Sequence, residues 1–234
     1  MTDNPRSSRK SSRPFSSLLC HLLSKWETLF FLFAYTLLGL QVFFFNINIQ
    51  SIPSLDGAVA VFASFESFVA HHLTYAMAPV VFLPLVCLFC SKKRLTWERK
   101  YLDALGLYVI FRMVIQLIGM NILVFDAVTP RFLLISQLLF FLPYSLFIWG
   151  WVYWRLDSFS RHGDRPLFRL DCEDNQPRPI DYFVASFSSV FSASISAIKG
   201  NSARARVLIL GHGFLIYDVM GLTLSRAVAL VQSS

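Results

Sequence analysis

Three ionisable residues stand inside long apolar stretches of the chain, namely Glu66, Arg112 and Asp218. An unpaired charge in such a segment is costly to bury, so we expect these side chains to pair with one another or to face water. Tyr108, Arg112 and Gln116 recur every four residues and therefore share one face of a helix, which should point into the protein. That face is either a structural polar seam or part of a functional site, and both interpretations stay open.

The other reactive residue types give weaker signals. His71 and His72 are adjacent, but neighbours on a helix point about 100° apart and cannot chelate one metal without a local break. We expect them to form a polar site near one end of a membrane span, without a metal. Cys87 and Cys90 have the C-x-x-C spacing but lack the second pair that a zinc site needs. Metalloprotease, nucleophile-elbow and phosphate-loop motifs are absent from the sequence, so we expect neither a cofactor nor an enzyme.

Composition excludes a water-soluble globule. Of the 234 residues, 55% are hydrophobic and 15% are charged, whereas soluble domains carry about 25% charged residues. The net charge of +7, from 21 basic and 14 acidic residues, would suggest nucleic acid as the partner of a soluble protein. Here the basic residues lie in short segments between apolar runs, as the positive-inside rule describes. The expected partner is therefore the lipid bilayer and not nucleic acid.

The apolar runs predict the elements that position these residues. Residues 1–28 read as a disordered basic tail with an amphipathic lead-in. Each later run is long enough to cross about 30 Å of hydrocarbon at about 1.5 Å per residue. We predict membrane spans at 29–49, 68–90, 101–125, 131–154 and 207–231. Residues 58–69 either extend the second span or form an interfacial helix, and residues 155–180 are expected to be a solvated loop.

Three landmarks stand at fixed spacing in the last 50 residues: Ser186-Phe187, Ala205-Arg206, and the segment S-R-A-V-A-L at 225–230. With this spacing the segment resembles the pore module of prokaryotic two-transmembrane-type potassium channels, in the branch with extra N-terminal spans. In that family the pore helix and filter read F-S-F-V-T-L-T-T-V-G-Y-G-D, and L-A-R and A-R-L-V-G-L follow in the inner helix. The alignment has no gap.

The resemblance assigns filter-equivalent positions, which are Ser192, Ala193, Ser194, Ile195, Ser196 and Ala197. A potassium filter replaces the ion's water with backbone carbonyls, and its glycines adopt backbone angles that cost other residues roughly 1–2 kcal/mol. Ser194 and Ser196 stand at both glycine positions, so potassium selectivity is expected to be lost. The serines of this region either line a wetted vestibule or donate hydrogen bonds to neighbouring helices.

The apolar runs predict an all-α integral membrane protein with about five transmembrane helices, and the resemblance adds a re-entrant pore-type helix. The divisions of the chain would be the tail at 1–28, N-terminal helices at 29–130 and a pore module at 131–234. The resemblance further implies a homotetramer in a bacterial inner membrane that passes monovalent cations without selectivity or does not conduct. The alternative function is a membrane scaffold or partner-binding subunit without transport activity.

The distribution of basic residues and the family resemblance predict opposite orientations of the protein in the membrane. With a cytoplasmic N-terminus, four spans return residues 155–206 to the cytoplasm, and nearly every Lys and Arg obeys the positive-inside rule. The channel family places its re-entrant segment outside the cell, which here would also put the basic cluster at 92–100 outside. Either the module is inverted relative to the family, or one span is miscounted.

Overall fold

The computed structural model describes residues 25–50, 52, 57–91, 96–125, 131–161, 166–170, 177–191 and 197–232, with backbone alone at 125, 131, 161, 191 and 223–232. Most of the predicted tail at 1–28, the landmark side chains at 225–230 and the filter-equivalent residues Ser192 to Ser196 therefore lie outside the described residues or side chains. The elements are α1 (Trp26–Gln50), α2 (Gly57–Val69), a π-helical segment (Ala70–Tyr75), α3 (Ala78–Cys90), α4 (Glu98–Phe125), α5 (Arg131–Arg161), β1 (Phe168–Leu170), α6 (Pro179–Phe191), β2 (Ile198–Gly200) and α7 (Ala203–Gln232).

The protein is almost entirely helical, and within the described residues five helical segments are long and apolar enough to cross a membrane. They are Trp26–Gln50, Gly57–Cys90, Glu98–Val124, Phe132–Ser160 and Ala203–Leu222. The predicted all-α membrane fold with five spans is confirmed. Large apolar side chains such as Val61 and Leu107 are about 70% exposed on the outside of the bundle, as expected where lipid replaces water.

The second span is one helical element from Gly57 to Cys90, so the interpretation of residues 58–69 as its extension is confirmed. Its regular α-helix is interrupted at the π-helical segment, where the Ala76 N–H donates to the His71 carbonyl at 3.0 Å. Pro79 lies in the first turn of α3, where its missing N–H leaves no broken hydrogen bond inside the new helix.

Helix α1 lies at the centre of the packing. Phe31 and Leu38 on α1 are fully buried, against Leu85 of α3 and Val109 of α4 in the same core cluster. Trp26 and Phe30 at the start of α1 pack on the aromatic ring of Phe183 in α6. The first span therefore contacts both the N-terminal helices and the C-terminal segment.

Helix α6 runs back along α5 toward the middle of the bundle. Tyr182, near the start of α6, donates a hydrogen bond to the carboxylate of Asp157. Ser186, one turn further on, donates to the carbonyl of Leu146 at 2.8 Å. Residue numbers rise along α6 while they fall along α5, so the two helices are antiparallel.

The chain then returns to the end at which it entered. Strand β2 pairs antiparallel with β1, with Phe168 opposite Gly200 and Leu170 opposite Ile198. Ile198 is buried in the same cluster as Phe168 and Tyr182. Because α6 begins and β2 lies at one end of the bundle, α6 is re-entrant, as expected.

The expectation of a solvated loop at 155–180 is wrong for the described residues. Helix α5 continues to Arg161, and β1 and α6 occupy much of the remainder. Asp157 and Phe168 are at most 1% exposed. Among the charged residues that suggested a solvated loop, Arg155 pairs with Asp103, and Asp157 accepts hydrogen bonds from the Phe168 N–H and the Tyr182 hydroxyl.

Candidate functional site

Glu66 and Arg112 meet inside the bundle and form a bidentate ion pair. Arg112 Nη1 donates to Glu66 Oε2 at 3.1 Å, and Nη2 donates to Oε1. Arg112 is fully buried and Glu66 is 3% exposed. The planar guanidinium matches the carboxylate in charge and shape, which is the geometry that makes a buried pair tolerable. The expectation that these two charges pair is therefore met in the fold, between α2 and α4.

Asp218 has a different partner. Its carboxylate accepts a hydrogen bond of 2.9 Å from Asn121 Nδ2, which joins α7 to α4. Asn121 Nδ2 also donates to the carbonyl of Leu117 in its own helix. The three intramembrane charges named from the sequence thus form two separate contacts among the described residues.

The polar face of α4 points inward, as its four-residue spacing predicts. Arg112 and Gln116 are buried and Tyr108 is partly buried. The Tyr108 hydroxyl donates to the Leu73 carbonyl at 3.2 Å, and lies 3.3 Å from Thr74 Oγ1. This face therefore holds α4 against residues 66–74 of the second span.

Sequence reasoning missed two further members of the polar interior, Gln41 of α1 and Gln137 of α5. Gln41 Nε2 donates to Gln137 Oε1 at 3.1 Å, and both residues are at most 5% exposed. Together with Gln116 we call them the amide cluster. Gln41, Gln116 and Gln137 line one small void with Glu66. The sequence signal that could have predicted this cluster was an uncharged amide in each of three apolar spans.

A second polar network lies at one end of the bundle, which we call the charged end. Arg99 donates to Glu27 at 2.9 Å and to Asp103 at 3.0 Å. Arg155 donates to both oxygens of Asp103, at 2.7 Å each. The Trp151 indole donates to Glu27 at 3.0 Å. The start of α1, the start of α4 and the last turns of α5 therefore meet at one face, as both membrane orientations considered above require.

The serines of α6 donate hydrogen bonds within the fold. Ser186 is fully buried against the Leu146 carbonyl, and Ser189, 2% exposed, donates to the carbonyl of Ser186 at 2.6 Å. Ser188 donates to the carbonyl of Ala185. Of the six filter-equivalent residues the structure describes Ala197, which precedes β2 and packs on the cluster of Phe168 and Ile198. Among the described serines, Ser186 hydrogen-bonds a neighbouring helix, whereas Ser188 and Ser189 donate within α6.

Asp157 fixes the entry of the re-entrant segment and was not predicted. Its Oδ1 accepts the backbone N–H of Phe168 at 3.0 Å, and its Oδ2 accepts the Tyr182 hydroxyl. The side chain is fully buried beneath β1 and α6. A buried carboxylate with such partners ties the non-helical backbone to α5.

His71 and His72 are exposed in the π-helical segment, in the interior of the 34-residue second span. They lie near the start of the span predicted at 68–90, and their place relative to the membrane surface stays a prediction. Their rings are 5.2 Å apart at an angle of 76°. Over the described ranges, no three or more His, Cys, Asp or Glu side chains gather closely enough to hold a metal.

No protein-family model, curated protein or solved structure matches the chain. The likeness to potassium channels therefore depends on the sequence landmarks.

Proposed function

We propose that the chain is an ion-channel-like subunit of a bacterial cell membrane in which the pore module has lost potassium selectivity. The observation that carries the proposal is the re-entrant helix α6. It enters beside α5, returns through β2 and is followed by the long helix α7, which is the element order of a channel pore module.

The proposed assembly is a homotetramer, since a pore module of this type closes a conduction path only where several copies meet. In one chain, the void between α1, α2, α4 and α5 measures about 10 Å³, and a groove of about 360 Å³ lies between α4 and α5. Monovalent cations are the proposed permeant species, and they would pass without the discrimination that a glycine-based carbonyl filter provides.

The proposed orientation places the charged end in the cytoplasm. The basic residues of α4 and α5 at that end include Arg99 and Arg155, and short basic segments stay on the cytoplasmic side. The re-entrant helix then opens from the cytoplasm, and the module is inverted relative to the channel family.

A second candidate is a membrane scaffold or partner-binding subunit without transport. It is favoured by the serines of α6, because Ser186 and Ser189 are buried and donate to backbone carbonyls. A helix used in this way anchors the fold and turns these two hydroxyls away from an aqueous path.

Flux and accessibility measurements separate the two candidates. In proteoliposomes, the channel proposal predicts passive potassium and sodium flux at comparable rates. Ser194→Cys and Ser196→Cys, in a chain without native cysteines, should then react with a water-soluble thiol reagent, whereas buried Ser189→Cys is the matched unreactive control. A strong potassium preference would contradict lost selectivity. Absence of flux with unreactive cysteines would favour the scaffold.

A further inference from the structure

A small void lies between α1, α2, α4 and α5, away from the re-entrant segment. It measures about 10 Å³ and its polar lining consists of Glu66 and the amide cluster. The rest of the lining is apolar and includes Phe62 and Met120. A void of about 10–15 Å³ on this measure holds a single water molecule.

The amide cluster brings unpaired polar atoms to this void. Gln41, Gln116 and Gln137 are between 1% and 6% exposed. After the bond between Gln41 and Gln137, four of their polar atoms make no hydrogen bond to any residue that the structure describes: Gln41 Oε1, Gln137 Nε2, and Oε1 and Nε2 of Gln116. Buried polar atoms are nearly always paired, so these four indicate a missing partner.

The unpaired atoms comprise two acceptor oxygens and two donor nitrogens. A water molecule donates two hydrogen bonds and accepts two, whereas a bare cation is held by oxygen atoms alone and would be opposed by amide N–H groups. Turning an amide by 180° exchanges its oxygen and nitrogen but leaves this inventory unchanged. The chemistry therefore favours water over a metal cation.

We propose that the amide cluster encloses one ordered water molecule, which bridges α1, α4 and α5. The Glu66–Arg112 contact has its own two hydrogen bonds. Arg112 Nε also lacks a partner among the described residues, but Arg112 does not line the void. The water supplies hydrogen-bond partners to the amide atoms, which lipid cannot do. Through these amides the water links three helices of the bundle.

X-ray radiolytic footprinting of the full chain in nanodiscs tests the water site, because hydroxyl radicals form from water held beside a buried side chain. Met120 lines the void and is 3% exposed. Met113, on the same helix and 5% exposed, does not line the void and is the internal control. The proposal predicts several-fold faster oxidation of Met120 than of Met113. Equal rates would overturn it.

Two variants test whether the oxidation of Met120 depends on the amide cluster. Gln116→Leu should lower Met120 oxidation to the rate of Met113, and Gln137→Leu serves if the first variant does not fold. Asn48→Leu removes an amide from α1 outside the void and should leave the Met120 rate unchanged. Met120 oxidation that persists in the folded Gln116→Leu or Gln137→Leu variant would overturn the proposal. A shift in thermal stability that depends on sodium or potassium would also overturn it, in favour of a cation.

Discussion

The N-terminal bundle and the re-entrant segment satisfy a buried charge in different ways. In the bundle, Glu66 pairs with the opposite charge of Arg112 across two helices. At the re-entrant segment, the Asp157 carboxylate accepts hydrogen bonds from neutral donors, the Phe168 N–H and the Tyr182 hydroxyl. A spanning helix satisfies its own backbone, whereas a chain that enters and turns back has backbone groups that need other partners. The partner of a buried charge thus reflects the path of the chain around it.

The largest expected effect comes from breaking the side-chain pair in the bundle. Arg112→Leu leaves the Glu66 carboxylate buried without its counter-charge, which should lower the free energy of unfolding by about 3–5 kcal/mol. The double variant Glu66→Leu/Arg112→Leu should recover much of that loss because it removes both charges. Denaturant unfolding in detergent micelles measures both. A double variant no more stable than Arg112→Leu would show that packing, and not charge, dominates.

The corresponding change in the re-entrant segment is Asp157→Ala. It leaves the Phe168 N–H and the Tyr182 hydroxyl without their acceptor, which should cost about 2–4 kcal/mol. Faster hydrogen exchange should be confined to β1, β2 and α6, and the bundle should keep its protection. Asp157→Asn retains one acceptor oxygen and should have a smaller effect. Uniformly faster exchange would contradict a local role.

Glycine-to-alanine variants in the two regions test how closely α6 packs on α5. A Cβ at Gly150 of α5 would lie 2.5 Å from the Phe183 ring and 3.0 Å from its Cα, so Gly150→Ala must push α6 away. We expect a loss of about 1–3 kcal/mol in unfolding free energy. Gly39→Ala in α1 is the matched control, since no atom lies within 4 Å of its Cβ. That variant should gain about 0.5–1 kcal/mol from helix propensity.

The smallest effect is expected for Ser186→Ala, which removes one interhelical hydrogen bond worth about 0.5–1.5 kcal/mol. Ser189 of the same helix is also buried and donates within α6, to the Ser186 carbonyl, so Ser189→Ala should cost less. Thermal unfolding in matched nanodiscs compares the pair. Equal losses would show that the contact with α5 adds no stability beyond that of a local bond.

The spans were predictable because a long apolar run has few alternatives to a membrane helix. The inward face of α4 was also predictable from the spacing of Tyr108, Arg112 and Gln116. The partner of Arg112 was not, because Glu66 lies 46 positions earlier and reaches it only through the packing of α2 on α4.

The buried polar residues that the sequence did not predict were missed for one common reason. Arg155 and Asp157 looked solvated because charged residues usually are, yet Asp103 and the Phe168 N–H satisfy them in the fold. Gln41 carried no signal alone, since one amide in a span is common, and its role depends on Gln137 in a distant helix. The three-residue strands β1 and β2 are too short to leave a pattern. These features arise from tertiary contacts that local sequence does not encode.

The π-helical segment rotates the faces of α3 relative to those of α2 within the second span. Its hydrogen bond from Ala76 to His71 encloses one residue more than an α-helical turn does. Deleting one residue there would restore the regular pattern and rotate α3 by about 100° relative to α2. Val81 and Leu85, now buried, would turn away from the core while Glu66 kept its place. The chain length in this segment is therefore under a constraint that neither its composition nor its hydropathy reveals.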